Sequence, residues 1–147
     1  VHGKAAHVHA CELNPESIKA LEWAAQKNEV SRLISILKGD NQTTLPELRG
    51  IADRVLLGLL PSSEAAWKLA VLTLKEEGGT LHIHMNVEEE HIEQWMKDTV
   101  QTCLGYAKDS GRYWHCNNQH LEKVKWYAPR VRHVVLDVSF SSSNSAS

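Results

Sequence analysis

The chain has 147 residues, 42% hydrophobic and 23% charged, with 4 prolines and 8 glycines, a balance that fits one globular domain and excludes collagen, a coiled coil and bulk disorder. Lys and Arg number 16 against 18 Asp and Glu, giving a formal net charge of -2 and a pI near 6.5, so no strongly basic field advertises a nucleic-acid partner and one must be argued from motifs. No apolar run approaches the roughly 20 residues of a membrane helix, because Gly58, Pro61 and Ser62 interrupt the stretch from Val55 to Leu60; a soluble chain with no membrane partner is expected.

Cys11, Cys103 and Cys116 are an odd number at wide spacing, without a CxxC and without an N-terminal targeting pattern, which reads as a reduced, cytoplasmic protein. The chain opens on Val1 and enters a strand pattern almost at once, which reads as a fragment.

Residues 5–12 form a short β-compatible run ending on Glu12, after which Asn14 can cap a helix and Pro15 suits its first turn. Ile18, Leu21 and Ala25 then recur at helical spacing, with Glu16, Lys19 and Glu22 left for solvent. Residues 31–38 are β-rich and close on the turn formers Gly39, Asp40 and Asn41. A polar loop follows to Gly50. Residues 51–58 read as a buried strand, Pro61, Ser62, Ser63 and Glu64 open a helix running through Trp67 to Leu74, and residues 80–85 are the next strand. The order β-α-β-loop-β-α-β with short apolar strands predicts an α/β fold on a parallel sheet. Residues 88–106 predict a helix with Ile92, Trp95, Met96, Val100 and Leu104 on one face, and residues 107–118 a loop or frayed helix end. Two β runs, 121–127 and 131–140, joined across Ala128, Pro129 and Arg130, predict an antiparallel hairpin. One domain over residues 1–138 and a disordered serine-rich tail over 139–147 are expected.

Ligands of open α/β sheets sit at the carboxyl ends of the strands. Glu12 stands at one such end, Asp40 at the next, and Asp53 near the start of a third strand. A carboxylate before a helix can take both hydroxyls of a ribose, and Asp40 can accept from an adenine amino group while Asn41 offers both donor and acceptor. Together they sketch a nucleoside pocket. The alternative is that Asp40-Asn41 is only a turn and Glu12 only a partner of the helix dipole.

Several blocks then resemble a known family. Glu12-x-Asn14-Pro15, Gly39-Asp40-Asn41, Ala52-Asp53-Arg54-Val55-x-Leu57-Gly58-Leu59-x-Pro61-Ser62-Ser63, Leu81-His82-Ile83-His84-x-Asn86-Val87 and Tyr127-Ala128-Pro129-x-Val131-x-His133-x-Val135-Leu136-Asp137 are similar in order and spacing to the C-terminal half of the tRNA wybutosine-synthesising protein 2 family. The resemblance implies a partial class I S-adenosylmethionine-dependent methyltransferase sheet, Rossmann-like, whose first strand and glycine loop would lie before Val1 and are missing. It implies transfer of the 3-amino-3-carboxypropyl group of S-adenosylmethionine to C7 of 4-demethylwyosine at position 37 of phenylalanine tRNA, with the anticodon loop of that tRNA as partner. It carries over Glu12 as the ribose holder, Asp40 with Asn41 as the adenine holder, and Asp53 as the start of the wall nearest the transferred chain. It assigns no general base. Trp23, Ala24, Asn28 and Glu29 depart from the asparagines and closing Asn-Gly that the family tends to carry. A related tRNA guanine-37 N1-methyltransferase and a truncated, non-catalytic fragment remain as alternatives.

Other signals are weaker. His82-x-His84 and His7-x-His9 place pairs of imidazoles on one strand face, yet no Cys or carboxylate set completes a tetrahedron and no metal is expected. Lys123, Lys125, Arg130 and Arg132 cluster around the terminal hairpin, as phosphate contacts or as simple solubilising charges. Trp67, Trp95, Trp114 and Trp126 are core residues first and base-stacking candidates second.

Overall fold

The computed structural model describes residues 4–143. The chain divides into two compact units, Val1–Glu47 and Leu48–Ser147.

The first unit holds β1 (Val8–Glu12), α1 (Pro15–Lys27), β2 (Ile34–Lys38) and a short α2 (Asn41–Thr44). Helix α1 begins where expected because the Asn14 side chain accepts from the backbone N–H of Glu16 at 2.9 Å and Pro15 occupies the first turn. Strands β1 and β2 run parallel in a register from Val8 beside Ile34 to Glu12 beside Lys38. Only Ile18 and Ala25 of this unit are buried apolar side chains among the described residues.

The second unit holds β3 (Arg54–Leu57), α3 (Glu64–Thr73), β4 (Gly78–Glu88), α4 (Ile92–Asp109), β5 (Trp114–Ala128) and β6 (Val131–Ser142). Its sheet order is β3-β4-β6-β5, with β3 parallel to β4 and the other pairs antiparallel. Period-two alternation decides the packing. Leu81, Ile83, Met85 and Val87 of β4 and Val134, Leu136, Val138 and Phe140 of β6 lie in one core with Trp67, Ala70 and Val71 of α3 and Ile92, Val100, Cys103 and Ala107 of α4. Each fully buried aliphatic side chain contributes about 1.5–3 kcal/mol relative to exposure. Gly78 has φ +120, and a Cβ there would fall 2.1 Å from the Phe140 carbonyl oxygen, so glycine is required where β4 starts along β6.

The α/β class stands, with three differences from expectation. The described strands form two sheets rather than one, because β1 exchanges hydrogen bonds only with β2 and β3 only with β4. Residues 107–118 are not a loop: α4 runs to Asp109 and β5 begins at Trp114, whose indole N–H donates to the Glu76 carbonyl at 2.8 Å. The serine-rich stretch is strand up to Ser142, since Phe140 is buried in the core and Ser139 hydrogen-bonds Thr80 at 2.9 Å. The disordered tail expected for 144–147 and the start at Val1 lie outside the described residues.

Candidate functional site at the strand ends

In the first unit the carboxyl ends of β1 and β2 are tied together by a backbone hydrogen bond from Gly39 to the Glu12 carbonyl at 3.0 Å. Gly39 has φ +133, a conformation that glycine reaches without strain, and it turns the chain so that Asp40 follows directly. The Asp40 carboxylate accepts from the Gln42 N–H at 2.8 Å and its carbonyl accepts from the Thr43 and Thr44 N–H groups. This is a capped turn, as the bland reading held, but it also fixes an exposed carboxylate at the rim. Glu12 is half-buried; Oε1 accepts from the Asn14 N–H at 2.8 Å, and Oε2 has no partner among the described residues. Asn41, also half-buried, stands beside Asp40. Glu12, Asp40 and Asn41 therefore meet at one rim, with carboxylate lone pairs to spare for hydroxyl and amino donors.

Asp53 does not share their placement. It belongs to the second unit and precedes β3, at the amino end of the parallel β3–β4 pair rather than the carboxyl end. Its carboxylate pairs with Lys75 at 2.6 Å, which raises the Lys75 pKa, and its carbonyl accepts from the Thr80 N–H. Asp53, expected among the cofactor-binding residues, closes the α3–β4 connection with its side chain.

The carboxyl end of β3 leads into residues 58–63. Pro61 accepts from the Asn86 N–H at 3.0 Å, Ser62 Oγ accepts from the Glu64 N–H at 3.2 Å, and buried Ser63 accepts from the Trp67 indole at 3.1 Å. This segment is thus pinned to β4 and α3 while Leu59 stays exposed. On the face of β4 opposite the core, His82 pairs with Asp137 at 2.6 Å and with Arg54 at 3.4 Å, whereas His84 pairs with His133 at 3.1 Å. The two imidazoles of His82-x-His84 take separate partners, and both stand within the strand rather than at its end. His7 bonds Ser35 at 2.8 Å.

Sequence reasoning gave no role to Asn86 and His133, which sit side by side in the β4–β6 register. The Asn86 amide and the His133 Nδ1 are buried without hydrogen-bond partners. Burial, with His84 and Lys125 nearby, holds the His133 pKa below its ordinary value, so the imidazole is neutral at pH 7. Only the register brings the two residues together. Cys103, buried on α4, has its thiol pushed up to about 12 by desolvation and is no nucleophile.

Residues 1–111 match the family model of the TRM5/TYW2 methyltransferase domain. A tRNA wybutosine-synthesizing protein 2/3/4 of Arabidopsis thaliana is 48% identical over 138 residues, covering 94% of this chain and 14% of that protein. The crystal structure of M. jannaschii TYW2 in complex with AdoMet superposes with TM-score 0.81 at 27% identity, over 93% of this chain and 58% of that one. P. horikoshii TYW2 in complex with MeSAdo gives TM-score 0.77 at 29% identity, over 93% and 49%. The chain thus spans a minor part of the curated relative and about half of each solved chain. A family-model match over residues 1–111 shows that the chain belongs to the TRM5/TYW2 methyltransferase domain family.

Proposed function

We propose that this chain is the adenosyl-binding part of a tRNA aminocarboxypropyltransferase, acting on 4-demethylwyosine at position 37 of phenylalanine tRNA through the anticodon loop. The observation that carries the reading is the Gly39–Glu12 backbone bond, which sets Glu12 and Asp40-Asn41 at neighbouring carboxyl strand ends. The unengaged Oε2 of half-buried Glu12 suits the ribose hydroxyls, and the exposed Asp40 carboxylate with Asn41 suits an adenine edge. When bound, S-adenosylmethionine supplies a sulfonium whose attached carbons are electrophilic, and the carbon facing the acceptor decides which group leaves. The protein's share is orientation: Glu12 and Asp40 hold the nucleoside end and leave the amino-acid end to reach the base. The cysteines are free, which suits a reducing, cytoplasmic setting.

The test is the adenosyl product after incubation of the chain with S-adenosylmethionine and phenylalanine tRNA bearing 4-demethylwyosine. The reading expects 5'-methylthioadenosine. S-adenosylhomocysteine would assign methyl transfer instead, and no adenosyl product from a folded chain would leave it a non-catalytic piece.

A further inference from the structure

The tip of the β5–β6 hairpin presents apolar and cationic surface that neither the core nor the strand-end site uses. Trp126 is 53% exposed and Tyr127 62% exposed, with Val124 exposed beside them. β5 is the edge strand, and register shifts between Lys123 and Lys125 and between Trp126 and Ala128 leave Val124 and Tyr127 without cross-strand partners. Bulges of this kind re-aim side chains next to sites. The Arg132 guanidinium lies 3.5 Å from the Trp126 ring centroid, and Glu89 holds it there through a 2.8 Å bond while taking Lys123 at 2.6 Å with its other oxygen. One side of the indole is thereby fixed against a tethered cation, while half the residue stays open to solvent. Arg130, in the turn next to these rings, is exposed and makes no ion pair among the described residues, whereas Lys125, opposite His133 in the register, stands on the other face of the strand.

A rigid aromatic surface beside an unpaired cation matches an unstacked base and its adjoining phosphate. An apolar protein partner would cover the rings but leave Arg130 uncompensated, and a duplex offers no unstacked base. We propose that this hairpin tip takes a single-stranded RNA segment, one base stacking on Trp126 and the adjoining phosphate meeting Arg130. The inference rests on the tRNA reading above and adds to it a surface that shares no residue with the Glu12–Asp40 rim.

The experiment is fluorescence anisotropy of the chain with a labelled RNA stem-loop and with the same sequence closed into a full duplex. The stem-loop binds more tightly than the duplex. Trp126→Ala weakens it about tenfold, while Trp126→Phe retains most of the affinity. Arg130→Ala lowers the slope of log affinity against log salt by about one. Equal affinity for loop and duplex overturns the proposal, as does a Trp126→Ala chain with unchanged circular dichroism and unchanged affinity. Self-association abolished by Trp126→Ala, without RNA affinity, assigns the surface to a second copy and overturns it too. A parallel titration with S-adenosylmethionine separates the failures: cofactor binding without loop affinity sinks this inference and leaves the proposed function standing, whereas absent cofactor binding sinks the proposed function itself.

Discussion

Arg112 is the charged side chain whose loss the second unit should feel most. Its side chain is 1% exposed, yet it donates to both Glu76 oxygens and to the Val71 and Leu72 carbonyls, so the α4–β5 turn is tied to the end of α3. Arg112→Ala strands the Val71 carbonyl, while the Leu72 carbonyl keeps the Gly50 N–H, and is expected to cost about 1–3 kcal/mol, read as a lower urea midpoint. His133 sets a pH signature. Its folded pKa lies below 6.5, so the unfolded chain binds the proton more tightly. The stability gained by keeping the imidazole neutral is complete above pH 6.5 and is lost as pH falls from there toward the folded value. Glu76 and Glu89, lowered from 4.5 by Arg112 and by Lys123 with Arg132, add a second loss only below about pH 4.5. Thermal melts of His133→Gln should lose the upper step and keep the lower one; an unchanged upper step would contradict the assignment.

At the scale of elements, what was legible in the residues is what periodicity and capping encode. Asn14-Pro15 announced α1, and alternation in Leu81, Ile83 and Met85 announced β4 with its buried face. Strand β5 stayed hidden over residues 114–118 because an edge strand exposed along most of its length has no apolar period to read. The end of β6 stayed hidden because serines surround the single inward Phe140. Within the candidate site, the places of Glu12 and Asp40 at strand ends were legible because the chain leaves each strand there, and that of Asp53 before β3 was too, while the Asn86–His133 register is a tertiary fact. Two substitutions test the central pairing. Gly78→Ala drives a Cβ into the Phe140 backbone and should prevent β4 from seating, seen as a lost cooperative melt. Leu136→Ala, at a position wholly buried, should cost about 2–5 kcal/mol.

Across the whole molecule the two units differ in how much apolar surface they bury. The second contains a core drawn from two helices and four strands, whereas the first buries Ile18 and Ala25 among its described residues. Opening free energy follows buried contacts, so amides of β1, β2 and α1 should exchange with deuterium well before those of β4 and β6. Uniform protection across both units would contradict this division. Ligand bound at the Glu12–Asp40 rim should slow exchange in the first unit by mass action, which links the weakly held part of the fold to its proposed task.

The most direct measurement is a calorimetric titration of the chain with S-adenosylmethionine, repeated for Glu12→Gln and Asp40→Ala. The account predicts binding that each substitution weakens about 10- to 100-fold, the range for a hydrogen bond to a charged group. Binding unaffected by either change, or none by a chain shown to be folded, would contradict the placement of the adenosyl site at the ends of β1 and β2.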